Sequence, residues 1–227
     1  GTNVIEPEWE ARVNEYNHLI VERVVEQEKK YAVGTRVDPL MLEVFNNLFM
    51  SIAERMGTTL ENTAYSVNIK ERLDFSCAIF DVDGGLIANA PHMPVHLGSM
   101  GESIRAVIKG NGETMRPGDV YMLNDPYDGG THLPDITVVT PVWNSAWDKV
   151  LFYVASRGHH ADIGGMTPGS MPPNSTSIEE EGIRITNFPL FKESIFQEGA
   201  LRDLFLNTKY PARNVDQNIA DLKAQIA

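Results

Sequence analysis

Two short runs rich in Val, Phe and Tyr, Ile136 to Trp143 and Val150 to Ala155, constrain this chain more than any other stretch. β-Branched and aromatic residues suit a pleated, half-buried surface, and the polar segment Asn144 to Lys149 between the runs supplies a turn. The pair therefore reads as two strands joined by a loop. The flanking chemistry is dense. Asn124 to Asp135 reads Asn-Asp-Pro-Tyr-Asp-Gly-Gly-Thr-His-Leu-Pro-Asp, and Ser156 to Gly165 reads Ser-Arg-Gly-His-His-Ala-Asp-Ile-Gly-Gly. Three of the six histidines fall in these two loops. Each cluster sits at a strand end, where a sheet holds side chains firmly. Any chemistry is expected here.

Composition excludes several other classes. A length of 227 residues allows one large domain or two small ones, and 42% apolar content is enough for a real core. The formal net charge of -12 argues against a nucleic-acid surface. No apolar run approaches the length of a membrane span, and the start of the chain lacks the basic-then-apolar pattern of a signal peptide. A soluble, cytoplasmic protein with no membrane or nucleic-acid partner is expected. The single cysteine, Cys77, excludes an intrachain disulfide and lies in the strand-like run Phe75 to Val82. It reads as a buried thiol rather than a nucleophile.

Taken in order, Glu6 to Lys30 is charged and places Trp9, Val13, Tyr16, Ile20 and Val24 at helical spacing, which predicts an amphipathic helix. Asp38-Pro39 is a strong helix start, and the apolar positions from Leu40 to Leu60 keep a helical period, predicting a long core helix. Phe75 to Val82 and Leu86 to Ala90 read as a hairpin turning at Asp83-Gly84-Gly85. Pro91 to Gly98 is proline-rich enough to read as a loop that feeds a short helix over Glu102 to Ile108. Val120 to Leu123 reads as the strand leading into the first His/Asp loop. Thr167 to Ser177 reads as a long loop or lid, Ile183 to Ile185 as strand-like, and Ala200 to Leu206 as a short helix. From Gln217 to Ala227 a helix is predicted that is still running where the chain stops. The fold class is α+β: a mixed or mainly antiparallel sheet with one long core helix.

His132 and Asp135 are three apart, with Pro134 stiffening the turn, so both can face one cation. With His159 they form a His-Asp-His set suited to Zn, Mn or Fe(II). Spacing alone leaves a second reading open, in which these residues only hydrogen-bond to hold their loops. Strand alternation lets one of His159 and His160 face the ligands, and His160 is kept as a catalytic candidate. Asp162 is either a ligand or an acceptor that orients an imidazole. Asp125 and Asp128 fit turn chemistry better than a cation site. His92 and His96 form a weaker pair, of which one can reach the site. Asp74, just ahead of a strand, is by default a surface charge. Neither glycine pair carries the Gly-x4-Gly-Lys pattern of a phosphate loop, so nucleotide chemistry would have to come from a partner.

At these residues the chain resembles the hydantoinase B/oxoprolinase family. The resemblance is carried by Asn62-Thr63-Ala64-Tyr65-Ser66, by Ile69 to Arg72, and by Asp74 to Ala78. It continues through Pro94 to Met100, Leu123 to Tyr127, Gly130 to Asp135, Ala155 to Gly165, and Pro168 to Pro173. Glu180-Glu181-Gly182, Tyr210 to Asn214 and Asn218 to Leu222 extend it, so that it covers about residues 38 to 227. The family includes N-methylhydantoinases, oxoprolinases, lactamases, and the related acetone and acetophenone carboxylases. The resemblance implies a metal held by His132, Asp135 and His159, with Asp74 as the fourth ligand. It also implies a hydantoinase-A-like partner subunit that binds ATP and Mg and phosphorylates the substrate, in a hetero-oligomer. The implied reaction is ATP-dependent hydrolysis of a cyclic amide such as a hydantoin, oxoproline or lactam. The alternative is an ATP-dependent ketone carboxylase that joins bicarbonate-derived CO2 to an enolate. Two departures stand out. Family members are usually more than twice this length, so the domain at 38–227 is expected to be truncated at its C-terminal end. Residues 1–37 form an extension without counterpart in a typical hydantoinase B and are expected to contact a partner.

Overall fold

The computed structural model describes residues 5, 7, 9–24 and 38–227, which form two compact units divided after Pro39. In the first, β1 (Trp9–Val13) and β2 (Leu19–Arg23) pair as an antiparallel hairpin with Ala11 opposite Val21. The helix expected over Glu6 to Lys30 is therefore replaced by strands across Trp9 to Arg23, and positions 6, 8 and 25–30 lie outside the described residues. The turn explains the difference. The Asn14 side chain accepts the backbone N–H groups of Tyr16 and His18, at 3.0 and 2.9 Å, and Asn17 takes a left-handed φ of 59°. Asparagine favours both features, and both break a helix. Trp9 and Val13, four apart for a helix, are also an even number apart along a strand and share a face with Ala11.

The second unit runs α1 (Pro39–Thr63), α2 (Val67–Lys70), β3 (Phe75–Phe80), β4 (Leu86–Asn89), α3 (Pro94–Asn111), β5 (Val120–Leu123), β6 (Asp135–Trp143), β7 (Val150–His159), β8 (Phe188–Lys192), β9 (Ile195–Phe196), α4 (Glu198–Leu206) and α5 (Val215–Ala224). Its seven strands make one antiparallel sheet in the order β4-β3-β7-β6-β5-β8-β9. The strand pair expected from the apolar runs is β6 and β7, at its centre. The α+β class is as expected.

Strand alternation sorts the core into two faces. Ala78, Phe80, Leu123, Val139 and Ala155 pack against Met100, Ile104 and Val107 of α3. On the other face Val120, Met122, Ile136 and Val138 pack with residues of α4 and α5, while Phe75 and Cys77 join Leu60 of α1. Each fully buried Phe, Met or Ile here contributes roughly 1.5–3 kcal/mol relative to exposure. Burial of Cys77 pushes its thiol up to about 12, as suits a core residue and not a nucleophile.

Four expectations need correction. The long helix α1 forms but is only partly core: Ala53, Gly57 and Leu60 are buried, whereas Val44, Phe45 and Leu48 are exposed. Helical periodicity specifies an apolar face and not what covers it. Second, α3 begins at Pro94, eight residues before the expected Glu102, because proline is well placed in the first turn of a helix. Third, Ile183 to Ile185 is not a strand. It is held by the Asn124 side chain, which accepts from Ile185 N at 2.6 Å and donates to Ile183 O at 2.9 Å. Last, α5 ends at Ala224 rather than running on to Ala227.

Candidate metal centre

Three elements bring the His/Asp residues together. Asp135 opens β6 and His159 closes β7, and the antiparallel register sets them directly opposite each other. Cross-strand neighbours in such a pair lie about 5 Å apart at Cβ. His132 is returned to Asp135 by a tight turn in which Asp135 N donates to His132 O at 3.1 Å. Gly130 allows the preceding backbone to pass against the Asn124 carbonyl, where any Cβ would collide. Asn124, fully buried, also donates to Leu133 O at 2.7 Å and so ties the loop to its neighbours.

The donor atoms converge. His159 Nδ1 lies 2.9 Å and His132 Nε2 3.1 Å from Asp135 Oδ1. One donor atom from each of the three residues falls within 4.8 Å of the others. Asp74, placed beside His159 by the pairing of β3 with β7, has Oδ2 3.9 Å from His159 Nδ1. These four residues, with His96, line a cavity of about 410 Å³ whose rim carries Met93, Val95, Thr131 and Met171. Burial raises the Asp135 pKa, but hydrogen bonds from His132, His159 and His96 outweigh it and hold the carboxyl far below the usual carboxylate range. The hydrogen bond to Asp135 in turn raises His132, against partial burial. Two imidazoles and a carboxylate aimed at one point, beside a second carboxylate, match the donors that Zn, Mn or Fe(II) takes.

His160 does not join them. It follows the end of β7 and points to the opposite side, fully buried, where Asn218 Nδ2 donates to its Nδ1 at 3.3 Å and its Nε2–H donates to Gln225 Oε1 at 3.0 Å. It pins α5 to the sheet. Asp162 is also elsewhere: it accepts from Gly164 N, Gly169 N and Arg213, organising the loop after β7. Asp125 accepts from Tyr127 N and Thr186 Oγ1, as turn chemistry requires. His92 packs on Phe75 in a tilted arrangement, ring centroids 4.5 Å apart, and fills the notch at Gly57.

Two further residues take part: His96, the member of the weaker His92/His96 pair that reaches the site, and Arg157, which was not singled out from the sequence. His96, in the first turn of α3, brings Nε2 to 3.4 Å from Asp135 Oδ2 and 3.7 Å from Asp74 Oδ1. Arg157 is fully buried beneath the cluster, its guanidinium donating to Thr137 Oγ1, Ser99 Oγ, Ser103 Oγ and the His96 carbonyl. Burial pulls its pKa down to about 10, which still leaves it charged at neutral pH. Arg157 lies two residues before His159, so strand alternation was the available signal that both share a face.

A family model described as hydantoinase B/oxoprolinase matches residues 38–227. The chain belongs to the hydantoinase B/oxoprolinase family. Among its relatives, 5-oxoprolinase 1 of Arabidopsis thaliana is 47% identical over 100% of this chain and 18% of that protein. The 5-oxoprolinase of Dictyostelium discoideum is 50% identical over 100% of this chain and 17% of that protein. The chain thus spans under a fifth of these relatives. Both alignments take in residues 1–37, which the family model leaves unmatched. Among solved structures, the ATP-dependent caprolactamase from Pseudomonas jessenii superposes with a TM-score of 0.73 at 30% identity, over 84% of this chain and 32% of that one. The nucleotide-free structure of an acetone carboxylase superposes with a TM-score of 0.74 at 18% identity, over 83% of this chain and 24% of that one, which is a likeness of fold.

Proposed function

We propose that this chain supplies the metal-bearing half-site of an enzyme that opens a cyclic amide at the expense of ATP. The observation that carries this is the convergence of His132, Asp135 and His159 at the floor of an open cavity, in a family whose relatives here are named for oxoproline and caprolactam. His132, Asp135 and His159 would hold the ion, with Asp74 as the fourth residue. A divalent cation held there supplies Lewis-acid chemistry, polarising a carbonyl or lowering the pKa of a bound water. Asp135, ionised across the working pH range, keeps its negative charge for the site. His132 is the more exposed of the two imidazoles. Met93, Val95 and Met171 at the rim suit the methylene face of a lactam ring.

ATP binding and phosphoryl transfer are assigned to a hydantoinase-A-like part, carried on a separate subunit or elsewhere in a longer chain, with Mg. Residues 1–37 are the segment assigned to contact with it. The carboxylase alternative has only the fold likeness in its support.

Elemental analysis of natively purified protein tests the centre: about one Zn, Mn or Fe per chain is expected, lost in both His132→Ala and Asp135→Ala. ATP-dependent ring opening of a lactam without bicarbonate would support the hydrolase. Bicarbonate-dependent consumption of a ketone would replace it with the carboxylase.

A further inference from the structure

Arg157 lies on the face of the sheet that carries the centre, one row further in. The register sets Asp135 opposite His159, and two residues along each strand it sets Thr137 and Ser76 opposite Arg157. Alternation puts both rows on one face, so a guanidinium and two hydroxyls sit beneath the row of ligands. The Arg157 side chain is fully buried. Its Nε donates to Thr137 Oγ1 at 2.8 Å and one terminal nitrogen donates to Ser103 Oγ at 2.8 Å, while the other reaches Ser99 Oγ and the His96 carbonyl. These partners are three hydroxyls and a carbonyl, all neutral. Burying a cation among neutral groups costs stability, and packing alone would be served by an apolar side chain of similar size.

A guanidinium has donors and no acceptor, so the direction of each bond is fixed. Every hydroxyl accepts from Arg157 and keeps its own hydrogen for a second partner. Ser103 gives that hydrogen to the Gly129 carbonyl, and Ser99 gives its own to the His96 carbonyl. Gly129, at a left-handed φ of 85°, lies so close to α3 that a Cβ would meet Ala106 and the Glu102 carbonyl at 2.8 Å. It belongs to the loop that delivers His132 three residues later. Arg157 thereby joins three segments that carry the centre: β6 through Thr137, the His132 loop through Ser103, and its own strand β7, which ends at His159. From this network we infer that Arg157 is a positioning residue of the metal centre: its planar fork, relayed by Ser103, holds the His132 loop and the β6–β7 pair in the relative placement at which the donor atoms of His132, Asp135 and His159 converge. This role rests on the metal reading given above.

Arg157→Lys separates geometry from charge, because lysine keeps the positive charge and loses the fork. Parent and variant are titrated with Co(II), and the visible spectrum of each is recorded at saturation. The expected result is an affinity weaker by roughly 10–100-fold, the range typical of groups that hold metal ligands in place, together with altered Co(II) bands. Parental affinity overturns the inference even if the thermal midpoint of the metal-free variant falls, since Arg157 would then serve the fold alone. So does a weaker affinity with an unchanged spectrum, because the donor atoms would still converge as before. Failure of the parent protein to bind Co(II) overturns the metal reading, and this role with it. If Arg157→Lys does not fold, as judged by its thermal transition, Ser103→Ala is titrated instead, which leaves the guanidinium in place and cuts its link to Gly129. Weaker binding with altered bands supports the role, and parental affinity overturns it.

Discussion

Asp135 is the residue on which this site turns. Its carboxylate collects three imidazoles in a pocket where burial alone would have raised its pKa, and the hydrogen bonds win. The consequences for pH follow from the two directions of shift. Asp135 is held low, so its contribution to folding is present above the ordinary carboxylate range and is lost only in strong acid. His132 is held high by the same bond, so its contribution is present below its unfolded value of 6.5 and is lost as pH rises through the folded one. In the presence of a chelator, the thermal midpoint should fall as pH is raised from about 6 to 8, and His132→Ala should flatten that slope. Because a cation replaces the proton on His132, metal binding should strengthen with pH over the same interval and release protons measurable by calorimetry in two buffers. An affinity independent of pH would remove His132 from the ligand set.

At the scale of elements, the site depends on one hairpin register and one loop. The apolar runs made β6 and β7 legible, and their pairing carries Asp135 to His159 without further instruction. The loop that returns His132 depends on Asn124, a buried amide that bonds Leu133 O, Ile183 O and Ile185 N. Asn124→Ala would leave these groups without their partner, a loss of at least about 1–3 kcal/mol, the cost of a single unsatisfied buried group. Urea denaturation should register that loss, and Co(II) affinity should drop because the His132 turn is no longer held. Sequence could not foresee this clamp, since its partners are as far as Ile185 from Asn124 and meet only in the folded chain. Proline misled in the same way at α3: Pro94 looked like a loop residue but starts the helix that aims His96 inward.

Across the whole molecule the sheet is a graded structure, with β7 and β6 flanked on both sides while β4 and β9 form its edges. Hydrogen exchange should therefore be slowest in β6 and β7 and fastest in β9 and β4. Faster exchange at Val138 or Ala155 than in β9 would contradict the strand order. The sequence by itself determined the alternation of the central strands, the helical stretch of α1, and the gathering of His and Asp at the ends of those strands. All of these are local, because side-chain periodicity and turn chemistry act over a few residues. The tertiary structure alone decided that Trp9 to Arg23 pairs as a hairpin, that much of α1 lies exposed, that His160 pins α5 while His159 faces the cavity, and that His96 and Arg157 close around Asp135. Each of those outcomes depends on which surfaces meet across long sequence separations, and that information is carried by packing rather than by any local pattern.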